Sequence, residues 1–157
     1  MADHSESFGL QRFVDAQAHV YDTVVAELRD GRKRSHWMWF IFPQLAGLGS
    51  SAMAQRYGIA SVAEARAYLS HELLGPRLHE CAQLINAVHG RAVQEILGRP
   101  DDIKLRSSMT LFARACADGG HQDPQCCSDF RAVLDRYYGG QEDPVTRDRL
   151  ARPAEFD

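Results

Sequence analysis

Residues 31–45 read GRKRSHWMWFIFPQL, and the six consecutive apolar residues Trp37 to Phe42 constrain the fold more than any other feature of the chain. Both tryptophans lie in this run, with cations before it and Pro43 after it. A run that is apolar on every side must be enclosed on every side, so the rest of the chain has to wrap it. Trp, Phe and Ile favour strands, but a strand needs a partner for its backbone groups, and no second segment pairs with this one. We therefore read Ser35 as a cap and 36–42 as a short buried helix or turn ended by Pro43.

Around the run the spacing is helical. Leu10, Phe13, Val14, Val20, Tyr21, Val24, Val25 and Leu28 make one wide stripe, which predicts a single helix from Leu10 to Asp30 closed by Gly31. SVAE (61–64) has the form of a capping box, with Ser61 as cap and Glu64 reaching back. A longer helix follows with Leu73, Leu74, Leu78, Cys81, Leu84, Ile85 and Val88 on one side, Pro76 in its first turn and Gly90 as its stop. RAVQEILG is a short helix closed by Gly98. Asp101 or Asp102 caps the next, whose stripe is Leu105, Met109, Phe112 and Cys116. HQDPQCC reads as a loop, Ser128 or Asp129 opens a helix ending at Gly139, and Asp143-Pro144 opens a last one. The expected class is all-α: a single-domain bundle of about six to eight helices over 8–150, its buried aromatic segment at 36–43, with frayed tails at 1–7 and 151–157.

Composition narrows the function classes. A chain of 157 residues with 45% apolar and 25% charged side chains is an ordinary one-domain globule. The net charge of −3 points away from nucleic acid and membrane as main partners. The N-terminus lacks a basic and an apolar signal region, which leads to the expectation of a cytoplasmic protein. Cysteines 81, 116, 126 and 127 show no C-x-x-C pair, and His71, His79 and His36 have no metal-ligand spacing, so neither a metal nor a cofactor is expected. The cysteines read as reduced thiols, Cys81 and Cys116 acting as small hydrophobes on helix faces. GLGSS lacks the lysine and the preceding strand of a phosphate loop.

Polar side chains at apolar positions are the remaining pointers. In helical projection Gln17 falls about 20° from Leu10, near the centre of its stripe, where an unpaired amide costs roughly 1–3 kcal/mol. Arg77 lies between Leu73 and Leu84, and its five-donor fork suits a carboxylate or phosphate. Lys104 and Ser108 are one turn apart at the edge of the Leu105–Cys116 stripe, whereas Ser107 projects to the opposite, exposed face. Each has a structural reading: a tie between helices, a snorkelling stem, a cover for the core edge. Taken with Arg34, His36, Trp37, Trp39 and Gln44 they compose a pocket for a flat anionic or amide-bearing molecule.

RFVDAQ (12–17), GRKRSHWMWFIFPQLAGLGSS (31–51), YGIAS (57–61), EARAYLSHELLGPRLHE (64–80) and PDDIKLRSSMTLFARA (100–115) carry a resemblance. On them the chain is similar to the bacterial domain-of-unknown-function 1810 family, from about Phe8 to Leu150. The resemblance implies an all-α, single-domain, cytosolic protein and brings no established activity. Some members bear a calpastatin label, but nothing in this chain has the repeated, disordered character of a calpain inhibitor. The CADGGHQDPQCC segment (116–127) looks longer than the family's usual link.

The leading expectation is thus a protein that binds or modifies a small anionic or nucleotide-like ligand, with a site made from Gln17, Arg34, His36, Trp37, Trp39, Gln44, Arg77, Lys104 and Ser108. His36 is its candidate proton carrier, because histidine titrates near neutrality. The alternative is a non-enzymatic interaction module whose Arg29–Arg34 cluster meets an acidic protein partner. Nucleic-acid binding ranks third, and no oligomeric state is implied.

Overall fold

The computed structural model describes residues 8–118 and 124–151. Ten helices are present among them and no strand: α1 (Gln11–Gln17), α2 (Tyr21–Arg29), α3 (Met38–Ile41), α4 (Ala52–Arg56), α5 (Val62–Ser70), α6 (Leu74–Asn86), α7 (Val93–Leu97), α8 (Asp101–Asp118), α9 (Pro124–Tyr138) and α10 (Pro144–Leu150). The all-α class holds, with seven helices of seven residues or more. The apolar run does not make a strand. It forms the single turn α3, with Trp37, Met38, Ile41 and Phe42 about 1% exposed.

α8 is the axis of the bundle. It packs against α9, α5, α10 and α7, while α6 packs on α9, α5 and α2. Being covered on so many sides, α8 buries Ser107, which was expected on an exposed face; its hydroxyl donates back to the Ile103 carbonyl. A chain of rings crosses the core from Phe40 through Tyr57, Phe13, Tyr68 and Phe112 to Phe130, at centroid distances of 5.1–6.0 Å. Such offset and edge-on contacts add about 0.5–1.5 kcal/mol each beyond burial.

The expected Leu10–Asp30 helix is broken into α1 and α2 at Ala18–Val20. The break has a tertiary cause. Gln17, 1% exposed, donates from its amide nitrogen to the Phe40 carbonyl (2.8 Å) and the Tyr68 hydroxyl (3.2 Å), and its amide oxygen accepts from Arg77 (3.2 Å). α1 is therefore tied to α3, whereas α2 lies along α6, with the Tyr21 ring under the Arg77 guanidinium at 4.4 Å. Across the core, Arg12 donates to the Arg56 and Gly58 carbonyls and pairs with the buried Glu64 at 2.9 Å.

Caps follow the sequence reading at Ser61, which accepts from the Glu64 amide, and at Asp143, which accepts from the Thr146 amide. Ser35 is no cap: α3 begins after Trp37 without a side-chain cap, and the Ser35 hydroxyl donates to Glu27 instead. α9 opens at Pro124 and not at Ser128 or Asp129, since a proline in the first turn forfeits no hydrogen bond. Part of the expected HQDPQCC loop is therefore helical, residues 121–123 and the tails 1–7 and 152–157 lying outside the described residues.

The cysteine expectation needs correction as well. Cys116 and Cys127 form a disulfide with Cα atoms 5.6 Å apart, because α8 and α9 pack side by side after the chain folds back. Cys81 is free and buried, its thiol pushed up to about 12 by burial. The Cys126 side chain lies outside the described part of the structure. Among the described residues no helix is long and apolar enough to cross a membrane.

Candidate functional site

The segment after α2 is shaped by one carboxylate. Glu27, 5% exposed, accepts from the Arg34 amide (2.8 Å), the Ser35 amide (3.1 Å), the Ser35 hydroxyl (2.6 Å) and the Trp37 indole (2.8 Å). Burial raises its carboxyl, but these four donors together outweigh burial and hold it at about 2. The 34–37 loop is thus wound onto Glu27, and the turn of α3 that follows delivers Trp39 to the surface beside α8.

There a recess opens. Met38, Trp39 and Phe42 form one wall, Ala54 and Tyr57 a second, and Gln44 and Lys104 its polar edge. Gln44 is held by a parallel bridge between Leu45 and Ile59, in which the Gln44 carbonyl accepts from the Ile59 amide at 2.9 Å. The recess measures about 240 Å³ with the solvent in its mouth, but only about 10 Å³ of it admits the centre of a water molecule. It encloses about one water, so a larger guest has to lie across its mouth.

The electrostatics of that mouth come from α8 and the Glu27 loop. The Lys104 ammonium sits 5.4 Å from the Trp39 ring centroid and 3.7 Å from Asp101. Lys33 reaches the same Asp101 at 3.0 Å and lies 5.3 Å from the buried Trp37 ring. Two ammonium groups thus share one carboxylate. Lys104 is the more accessible of the two, with its side chain 24% exposed against 9% for Lys33.

The nine residues singled out in the sequence fall into separate places. Trp39, Gln44 and Lys104 meet at the recess. Gln17 and Arg77 bond to each other in the α1–α3–α6 contact, where Gln17 serves the core; among the described residues no carboxylate lies within ion-pair distance of Arg77. Trp37 is core, locked on Glu27. Arg34 and His36 are exposed and outside the recess lining, Arg34 paired with Asp30 one turn back. Ser108 is fully buried, one helical turn beyond Lys104, and its hydroxyl has no hydrogen-bond partner among the described residues. His36 therefore has no place in the recess as a proton carrier.

Residues that sequence reading missed are Tyr57, Lys33, Asp101 and Glu27. The projection that exposed Gln17 was available for Glu27 too, since it follows Val24 by three residues and shares its face. Nothing local marks Tyr57 or the sharing of Asp101, which arise from contacts across the bundle.

Comparisons with known proteins agree with this fold and add no activity. The structure superposes on the crystal structure of the conserved hypothetical protein Rv1873 from Mycobacterium tuberculosis with a TM-score of 0.87 and 60% sequence identity, covering 94% of this chain and 99% of that one. No curated protein matches. The family described as protein of unknown function DUF1810 matches residues 7–150. The chain belongs to the DUF1810 family.

Proposed function

We propose that the protein binds a small, flat, anionic molecule of nucleotide-like character across the mouth of the Trp39–Gln44–Lys104 recess. The observation that carries this reading is the meeting of cation and indole: Lys104, which shares Asp101 with Lys33, stands beside the half-buried Trp39 ring. The indole supplies a face for a planar ring, the ammonium meets the anionic group, and the Gln44 amide selects for hydrogen-bonding edges. A cavity this shallow holds the ligand by its rim, so affinities in the micromolar range or weaker are expected. The Ser108 hydroxyl, without a partner among the described residues and one turn behind Lys104, would come into play only where the recess deepens on binding.

Fluorescence titration tests the proposal directly, because Trp37 is 1% exposed while Trp39 is partly accessible. Adenosine monophosphate, nicotinate and inorganic phosphate serve as probes. Quenching and a raised melting temperature are expected with the ring-bearing anions, since a ligand at 100 times its dissociation constant adds about 2.7 kcal/mol. Trp39→Phe and Lys104→Ala should abolish the response. A response that survives both variants, or none from any probe at millimolar concentration, refutes it.

The interaction-module alternative loses one cation of its cluster in the structure. Lys33 is turned inward onto Asp101, while Arg34 stays exposed beside Asp30.

A further inference from the structure

The Arg29–Arg34 cluster of the sequence is redrawn by the fold. With Lys33 turned inward, the exposed cations left near the end of α2 are joined by others from distant parts of the chain. Gly31, at φ +72°, has no Cβ; one placed there would stand 3.4 Å from Arg91 Cδ and 3.2 Å from Val88 Cγ1. That close approach lays the Arg91 stem along the α2–α3 loop. On the other side of Val88, Arg136 of α9 donates to the Val88 carbonyl, lies 3.3 Å from His89 Nδ1, and has its guanidinium 5.5 Å from the Tyr137 ring centroid. Arg32, Arg34, Arg91, Arg136 and His89 are all exposed.

Among the described residues, the carboxylates near these cations are already engaged. Asp30 serves three arginines: the hydrogen bond and charge of Arg34 lower its carboxyl first, and Arg91 and Arg32 add to this. Glu95 is turned onto the Ala92 amide, and Asp135 lies against Gly140. Cations at helix C-termini are tolerated by the dipole, and α2 and α6 both end here. That accounts for one cation at each end. It does not account for four arginines gathered from three parts of a chain whose net charge is −3.

We propose that Arg32, Arg34, Arg91 and Arg136 form a docking surface for an acidic peptide segment of a partner protein. Guanidinium groups spread over separate elements match a row of carboxylates better than one compact phosphate. Arg136 is already held in place by the Val88 carbonyl and the Tyr137 ring, so little side-chain freedom is lost on binding. Nucleic acid fits less well. The ring at Arg136, Tyr137, is fixed by its hydroxyl on the Ile85 carbonyl and carries the guanidinium over one face, where a base would have to displace it to stack. This surface is independent of the Trp39–Lys104 recess and stands or falls separately.

The test uses the whole protein and a fluorescein-labelled poly-glutamate peptide, with binding followed by anisotropy at low ionic strength. Binding is expected, weakening as salt is added. Arg32→Gln with Arg91→Gln should reduce affinity roughly 5- to 30-fold, as for the loss of two exposed ion pairs. The matched pair Arg131→Gln with Arg147→Gln, which removes the same charge elsewhere, should stay within about twofold. Melting curves check that both proteins fold, and Arg91→Gln alone repeats the measurement if the first double variant melts early. Equal losses in the two double variants, no binding by the unaltered protein, or tighter binding of an oligothymidylate of equal charge would each overturn the proposal.

Discussion

Glu27 offers the sharpest test of how the aromatic segment is held. Glu27→Gln keeps the shape: the amide oxygen in the place of Oε1 still accepts from the Arg34 and Ser35 amides and the Trp37 indole, and the amide nitrogen faces the Ser35 hydroxyl. Only the charge is lost. A carboxyl held at about 2 instead of 4.5 corresponds to about 3 kcal/mol of stability. The sign follows from a depressed folded value: the contribution is full above the unfolded value and disappears as pH falls through the folded one. The gap between wild type and Glu27→Gln should therefore be about 3 kcal/mol at pH 7 and shrink to about half by pH 3. Urea unfolding followed by circular dichroism at the two pH values measures it. A gap below about 1 kcal/mol at pH 7, or one that does not shrink with acid, refutes the reasoning. Glu27→Ala leaves four donors without their acceptor and should cost more, about 3–5 kcal/mol.

Gln17→Leu strips the Phe40 carbonyl, the Tyr68 hydroxyl and Arg77 of a shared partner; a loss of about 2–3 kcal/mol is expected in the same unfolding assay. Gly75→Ala would set a Cβ 2.2 Å from the Leu69 carbonyl oxygen, a backbone atom that cannot swing aside, so destabilisation of about 1–3 kcal/mol or more is expected, visible as a lower melting temperature. Peptide mapping without reductant should recover Cys116 joined to Cys127, with Cys81 alkylated only after unfolding. Reduction of that bond, which closes a short loop, should lower stability by about 3 kcal/mol.

Elements governed by local chemistry were legible in the sequence. Ser61 and Asp143 cap the helices expected of them, and Pro76 lies in the first turn of α6. The burial of Trp37, Met38, Phe40, Ile41 and Phe42 followed from a run with no polar side to show to water, but Trp39 of the same run stays partly exposed. The errors lie where one segment answers to another. The α1–α2 break depends on Gln17 finding Phe40 and Tyr68, and no periodicity encodes that meeting. Ser107 was misplaced because a projection assumes one buried face, whereas α8 is surrounded. For the site, the projection found Lys104, the apolar run supplied Trp39 and the polar residue just beyond Pro43 is Gln44, and these three do share a recess. Arg34, His36 and Trp37 were grouped with them by nearness in sequence, and a single residue's step on a loop or a tight turn is enough to reverse a side chain's direction.

What the sequence determined by itself is the class of the fold, most helix ends, and the need for a shell around the aromatic run. These rest on patterns within a few residues, where hydrogen bonding and apolar spacing act locally. Only the tertiary structure decided which tryptophan is core and which is accessible, that Lys33 and Lys104 converge on Asp101, and that arginines from the α2–α3 loop, the α6–α7 link and α9 lie together. Those outcomes depend on how helices cross. Crossing is settled by the summed packing of many weak contacts, among them Gln17 on Phe40 and the ring chain from Phe40 to Phe130, and no short stretch of sequence carries it.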